Sequence, residues 1–317
     1  MLNILYISAR NVLSPANTYS YYGDLYRELV KFCNVQVSQD LLDYKKIASD
    51  YNFDCVIFDL GYFAQKESSV FQEIPGLKEL NIPKIAYFNK PQTLLAEKLN
   101  FCKVNEFDLF VDSQVTHKEY GKAANCESIM LPFVASEKIF YPREVKKVYD
   151  LGFSGTHNLF TPSGKVEGET RDIRDRAYEK IIQKDYNLFW NKHTDPSKRI
   201  SSLDEYATKM NQSKIWFSTT GPVKDFGPRY FEVMLSKTLL CCNSMPDTYG
   251  GVFVDGENCI MFENNLSNLT EKIDYYLNND TERNAIISKA YDFALTNYTW
   301  MAMAKKLVSK IIEIKNR

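Results

Sequence analysis

The residues best suited to do chemistry lie between Lys214 and Ser244, in the run KIWFSTTGPVKDFGPRYFEVMLSKTLLCCNS. It reads as strand, glycine-containing loop, short helix and strand. Gly221 and Gly227 allow the backbone to approach a ligand closely, and Pro228 suits a first helical turn, where its missing N–H costs nothing. Free N–H groups at such a helix start favour an anion, and a diphosphate fits that geometry. Arg229 offers a planar fork of donors to phosphate oxygens, and Lys224 or Lys214 could add a second cation. Glu232, one turn later, could accept from two vicinal ribose hydroxyls. Gly227, Arg229, Tyr230 and Glu232 therefore read as a nucleoside-diphosphate site. An ordinary solvated ion pair between Arg229 and Glu232 would give the same spacing, and neither GxGxxG nor a GK[ST] ending is present. The glycine-rich approach favours the ligand.

A second cluster is the turn Gly155, Thr156, His157, at the end of DLGFSGT, followed by a polar loop and the helical RDIRDRAYEK. Gly155 permits close approach of a phosphate, and Arg171 or Arg174 could reach the same anion from the next helix. For His157 a plain surface-loop histidine is the competing reading. A third stretch, Asp247, Thr248, Tyr249, Gly250, Gly251, follows the strand TLLCCNS and could equally be a polar turn fixed by its glycines. On the N-terminal side, Arg10, Asn11, Asp59, Tyr62, Asn89, Lys90 and Asp112 follow apolar strands, where loops could meet a second ligand. Asp59 and Asp112 could instead cap the elements that follow. His117 reads as solvent-facing on a helix, and His193 sits in a polar loop with no visible partner.

These residues need a scaffold that presents loops at one edge. Short apolar runs recur through the first 132 residues, LNILYIS, NVQVS, DCVIFDL, PKIAYFN, DLFVDS and ESIMLP, separated by helical-length polar segments. Such runs read as buried parallel strands. Tyr19 to Phe32 and Pro91 to Phe101 carry apolar residues at helical spacing, with Pro91 suited to a first helical position. A second series follows: DLGFSGT, NLFW, KIWFST, TLLCCNS and NCIMFEN as strands, with helices near Arg171 to Gln183, Leu203 to Asn211 and Pro228 to Ser236. Three helical segments end the chain, Leu266 to Leu277, Glu282 to Leu295 and Met301 to Ile314. The pattern is α/β, two Rossmann-like doubly wound parallel sheets. Between them LPFVASEKIFYPREVKKVY loses periodicity and reads as a linker.

With 317 residues and 44% hydrophobic content the chain can bury two cores. Lys plus Arg (39) balance Asp plus Glu (40), which gives no reason to expect a nucleic acid partner. Seven cysteines without a CxxC pair argue against a disulfide framework and a zinc site, and fit a reducing cytoplasm. No run approaches the roughly 18 apolar residues of a membrane span, and the amino terminus lacks a signal peptide's basic start. Action at a membrane surface is compatible with the basic terminal KKLVSKIIEIK.

At this point GPRYFEVMLSKTLLCCNS resembles the GxRxFEAxACGxxLL segment of spore-maturation-protein-like glycosyltransferases, relatives of the large retaining group with the GT-B fold. DLGFSGT resembles that family's first C-domain strand and turn, and LPFVASEKIFYPRE its interdomain LPxxxDxxxFxP. GVFVDGENCIMFENNLSNLTEKIDYYLNNDTERNAIISKAYDFALTNYTW resembles its C-terminal run. The likeness spans roughly residues 105 to 305. It implies two domains facing a cleft: an N-terminal acceptor-side domain over 1–132, a linker over 133–148, a C-terminal donor domain over 149–298, and a terminal helix over 299–317 packing back on the first domain. It further implies that Glu232 binds the donor ribose, that Arg229 contacts the diphosphate, and that the stretch from Asp247 through Tyr249 and Gly250 closes over the donor. One departure is that a second Glu, common eight positions upstream of the ribose-binding one in retaining relatives, is Lys224 here, flanked by Asp225.

The expected activity is transfer of a sugar from a nucleoside-diphosphate sugar to a glycan or other hydroxyl acceptor, with retention and with no metal or other cofactor. Arg229, Lys224 and Asn89 are the expected catalytic residues. A sugar-nucleotide epimerase would share the donor site, and a non-catalytic nucleotide-sugar-binding module would bind without turnover. An NAD-dependent oxidoreductase lacks its GxGxxG after LNILYIS.

Overall fold

The computed structural model describes residues 1–13, 21–38, 44, 52–88, 93–114, 116–155, 173–192, 200–221, 226–245, 249 and 251–317. The chain divides into two compact units, Met1–Phe133 with Trp300–Arg317, and Val134–Thr299.

The first unit is built on β1 (Asn3–Ile7), β2 (Asn34–Ser38), β3 (Cys55–Phe58), β4 (Lys84–Tyr87), β5 (Leu109–Asp112) and β6 (Glu127–Met130). They form a six-stranded sheet in the order β2-β1-β3-β4-β5-β6, every pair parallel. The order reverses between β1 and β3, where Ile4 pairs with Cys55 and Ile7 with Phe58. The helices are α1 (Tyr21–Leu29), α2 (Leu95–Val104) and α3 (His117–Ala124). Strands covered on both faces must be apolar throughout, and β3, β4 and β5 are buried at every position. Aromatic rings fill the core: Phe63 lies 4.2 Å from Phe88, Phe88 4.2 Å from Phe110, and Phe58 4.8 Å from Tyr62.

Helix α2 starts at Leu95, after Leu94 in a left-handed conformation (φ 53), and Pro91 lies outside the described residues. His117 corrects the solvent-facing reading. It is half-buried, its Nδ1 is 3.1 Å from Ser128 Oγ on β6, and burial lowers its pKa. The terminal helix Trp300–Lys315 packs on α1 within this unit, burying Met303, Ala304, Leu307 and Ile311 at helical spacing. Lys310 pairs with Glu127 at 2.8 Å, and Arg317 with Glu127 and Lys315 with Asp54 add further ion pairs.

The second unit contains β7 (Tyr149–Gly155), β8 (Leu188–Lys192), β9 (Ser213–Ser218), β10 (Leu239–Asn243) and β11 (Ile260–Phe262). Its five-stranded sheet is also parallel, in the order β11-β10-β9-β7-β8. The helices are α4 (Ile173–Ile181), α5 (Leu203–Asn211), α6 (Arg229–Leu235), α7 (Leu269–Asn278) and α8 (Asp280–Asn297). Leu151, Phe153, Ile215, Phe217, Cys241 and Ile260 form the core's centre. Gly152 is required by packing: a Cβ there would stand 2.3 Å from Trp216 Cε3 and 2.5 Å from Ser213 Oγ. All seven cysteines are free thiols, and six of them are buried.

Candidate functional site

In a doubly wound sheet the ligand crevice opens beyond the carboxyl ends of the strands, where the strand order reverses. In the second unit that reversal lies between β7 and β9. Gly155 is the last residue of β7, and Thr219 and Thr220 follow β9. Asn243, at the end of β10, holds this edge in shape. Its Oδ1 accepts the Thr220 N–H at 2.8 Å, and its amide donates to Thr220 Oγ1 at 3.1 Å and to Asn264 Oδ1 at 2.9 Å.

Two arginines converge here from different helices. Arg174 on α4 is 8% exposed, and its Nε donates to Thr219 Oγ1 at 2.8 Å. Arg229, the first residue of α6, donates from Nε to Tyr206 Oη of α5 at 2.8 Å. Its Nη1 lies 3.3 Å from the position that a Cβ on Gly155 would take. Burial, and after it the Arg229 charge, push the Arg174 pKa down to about 10. Burial raises the Tyr206 pKa, partly offset by Arg229. Two guanidinium groups in a desolvated corner form a charge concentration suited to a phosphorylated ligand.

Glu232 lies one turn along α6 and is 2% exposed, so its carboxylate belongs to the floor of this region and not to an open surface. Tyr230 is 1% exposed, and its ring packs 5.0 Å from Phe253 and 5.9 Å from Phe226, inside an aromatic cluster that also takes Tyr249. Its hydroxyl is buried and has no hydrogen-bond partner among the described residues. Among the described residues nothing lies within 4 Å of the place where a Cβ on Gly227 would be.

The helix start supplies fewer free donors than its sequence suggests. The Tyr230 N–H bonds back to Gly227 O at 3.3 Å, and Phe231 and Glu232 N–H both bond to Pro228 O, at 3.0 and 2.9 Å. With only seven residues α6 also has a small dipole. Among the described residues, the side chains of Arg229 and Arg174 therefore carry the positive charge of the region.

Lys214 does not join them. It is the second residue of β9, at the opposite edge of the sheet, about 16 Å from Thr219 at strand rise, and pairs with Asp150 at 2.8 Å. The expectation that Lys214 could serve the leaving group is corrected by strand direction. Thr156, His157, Arg171, His193, Lys224, Asp247 and Gly250 lie outside the described residues.

In the first unit the order reversal falls at the carboxyl ends of β1 and β3. Arg10 and Asn11 follow β1 and are exposed, and the Arg10 guanidinium lies 5.2 Å from the Tyr22 ring. Asp59 and Asp112 are fully buried, which gives both carboxylates an interior place. Asp59 Oδ1 accepts the Tyr62 N–H at 2.8 Å, and Tyr62 starts a short 3-10 turn, so Asp59 acts as a turn cap. Burial raises its pKa to about 7, against the lowering effect of the Tyr62 N–H. Asn89 and Lys90 lie outside the described residues.

Tyr206, Thr219 and Asn243 escape the reading of the sequence. Thr219 and Asn243 could have been found from their places just after apolar strands. Tyr206 carries no local signal, since its bond to Arg229 spans 23 residues and two elements.

Residues 166–309 match a family described as glycosyl transferase-like. No curated protein matches the chain. Among solved structures, Anabaena Alr3699/HepE in complex with UDP and glucose aligns with a TM-score of 0.58 at 11% identity, over 99% of this chain and 100% of that one. Sucrose-phosphate synthase from Thermosynechococcus elongatus aligns at 0.61 and 10% identity, over 99% of each chain. The DNA-modifying β-glucosyltransferase, solved in the presence and absence of uridine diphosphoglucose, aligns at 0.58 and 16% identity over 98% of this chain and 100% of that one. At such identities the likeness is one of fold. The chain thus has the GT-B architecture, and its residues 166–309 are similar to the glycosyl transferase-like family.

Proposed function

We propose that the chain transfers a sugar from a nucleoside-diphosphate sugar, with a UDP-sugar as the first candidate, to a hydroxyl acceptor, with retention of anomeric configuration and without a bound metal or resident cofactor. The observation that carries this reading is the meeting of Arg174 and Arg229 at the switch point, beside Gly155 and one turn from Glu232. The nucleotide-bound neighbours of this fold support UDP as the nucleotide to test first.

In the reaction the bond between the anomeric carbon and the diphosphate oxygen breaks, and its electron pair stays on the diphosphate. The acceptor oxygen bonds to the anomeric carbon, and its proton passes to the departing diphosphate oxygen. Positive charge grows on the sugar ring and negative charge on the leaving group. Arg229 and Arg174 stabilise the leaving diphosphate, and Lys224 adds to that charge. Glu232 accepts from the ribose hydroxyls, while Gly155 and Gly227 leave room for the phosphates. Thr156, His157, Arg171, Tyr230, Asp247, Tyr249 and Gly250 complete the donor side. Arg10, Asn11 and Asn89 are the residues assigned to the acceptor, a glycan by family resemblance. The buried Asp59 and Asp112 shape their loops.

The test is product analysis with UDP-glucose and related donors, with and without oligosaccharide acceptors and EDTA. Acceptor-dependent release of UDP in EDTA supports the proposal. An altered nucleotide sugar formed without acceptor would identify an epimerase, and binding without transfer or donor hydrolysis would identify a binding module.

A further inference from the structure

The second unit holds a pocket at the edge of its sheet opposite to Gly155 and Thr219. Its volume is about 330 Å³, and its lining includes Lys147, Lys214, Lys237, Arg283, Asn284 and Ser288. Lys147 precedes β7, Lys214 is the second residue of β9, Lys237 precedes β10, and Arg283, Asn284 and Ser288 stand in the first three turns of α8. Sequence places these cations far apart; the parallel sheet gathers them because all its strands start on one side.

Charge in the pocket is unbalanced. Lys214 pairs with Asp150 at 2.8 Å and Arg283 with Asp280 at 2.6 Å. Among the described residues Lys147 and Lys237 form no ion pair. The Lys147 ammonium donates to three neutral oxygens, Ser213 O at 2.7 Å, Lys237 O at 3.1 Å and Thr238 Oγ1 at 3.0 Å. Lys237 Nζ lies 4.8 Å from the Tyr291 ring centre. Burial, and behind it the Arg283 charge, push the Lys147 pKa down to about 8. Two cations thus remain unmatched by carboxylates, and one of them is held where another repels it. That arrangement costs the protein stability, and an anion would relieve the cost.

We propose that this pocket binds a phosphate-class anion carried by a small phosphorylated molecule in solution. The volume is at the low end for small-molecule sites, which suits a compact ligand. Lys237, Lys214, the Asn284 amide and the Ser288 hydroxyl supply donors at its wall. Lys147, whose three protons are already committed to the protein, contributes charge. The site is separate from the donor region and does not depend on the activity proposed there.

Calorimetric titration of the full chain with inorganic pyrophosphate, then with inorganic phosphate, tests this. The donor region is silenced in parallel by Arg229→Gln. Lys237→Asn removes one unmatched cation, and asparagine tolerates the left-handed backbone of that residue (φ 47). Ser288→Glu adds a carboxylate at an exposed position on the rim without removing a contact. Both variants are checked for an unchanged thermal midpoint. The proposal predicts pyrophosphate binding that survives Arg229→Gln, weakens with added salt, and falls tenfold or more in Lys237→Asn and in Ser288→Glu. Sedimentation with phosphatidylglycerol vesicles but not phosphatidylcholine vesicles, with no pyrophosphate binding, would contradict a free ligand and place the phosphate on a lipid. Absence of binding to either probe, or binding unchanged in both variants, would overturn the site.

Discussion

Arg229 Nη1 stands 3.3 Å from the place where a Cβ on Gly155 would be, and the Phe153 ring stands 3.1 Å from the same point. The end of β7 and the start of α6 are thus fitted to each other through a missing side chain. Gly155→Ala should displace the guanidinium by a few tenths of an ångström while leaving the sheet intact. The expected outcome is nucleotide affinity lowered on the order of tenfold, by loss of alignment, with little change in thermal midpoint. Calorimetry against UDP checks it; an unchanged affinity would mean that this edge does not meet the ligand.

Arg174 is expected to contact the charged part of the donor. Arg174→Gln keeps a donor near Thr219 but removes the second cation. UDP binding should weaken by about 1.5 to 3 kcal/mol, the scale of a hydrogen bond to a charged group, while uridine binding stays the same. Equal loss of both ligands would show that Arg174 only supports the fold.

Much of this arrangement is legible in the residues alone, for physical reasons. Every run read as a strand is one, and the central strands stand out most because strands buried on both faces must be continuously apolar. Arg229 and Glu232 stand out because a proline and a glycine mark the start of α6. The Arg174–Thr219 bond spans 45 residues and depends on how α4 packs beside β9, which no local pattern encodes. Lys214 misleads for the opposite reason: it is near Thr219 in sequence, but an extended strand carries it to the far edge. His117 misleads because its helix leans its polar side on β6, where Ser128 meets the ring.

Gly152 offers a test of packing in the second unit independent of any ligand. Gly152→Ala puts a methyl group 2.3 Å from the Trp216 ring inside a paired strand. Overpacking at a site with no room should destabilise the protein by about 1 to 3 kcal/mol. Urea unfolding followed by tryptophan fluorescence measures this, and a neutral effect would contradict the tight β7–β9 register.

Asp59 predicts a pH dependence in the first unit. Its carboxyl has a pKa raised from 3.8 to about 7 in the folded chain, chiefly by burial. Between those values the folded state holds a proton that the unfolded state has lost. Stability should therefore fall as pH rises from 3.8 to about 7 and level off above it. Asp59→Asn, which keeps an oxygen for the Tyr62 N–H, should flatten that slope. Urea midpoints at pH 5 and pH 7.5 for both proteins decide the matter, and identical slopes would refute a buried titrating Asp59.

The most direct test of the central claim is calorimetric binding of UDP, in EDTA, to the wild-type chain and to Glu232→Ala, with GDP, CDP and ADP as controls. The account predicts specific binding of one nucleoside diphosphate that survives EDTA and weakens by about 1 to 3 kcal/mol in the variant, with the fold retained. A folded wild-type protein that binds none of the four would contradict the donor site built on Arg174, Arg229 and Glu232.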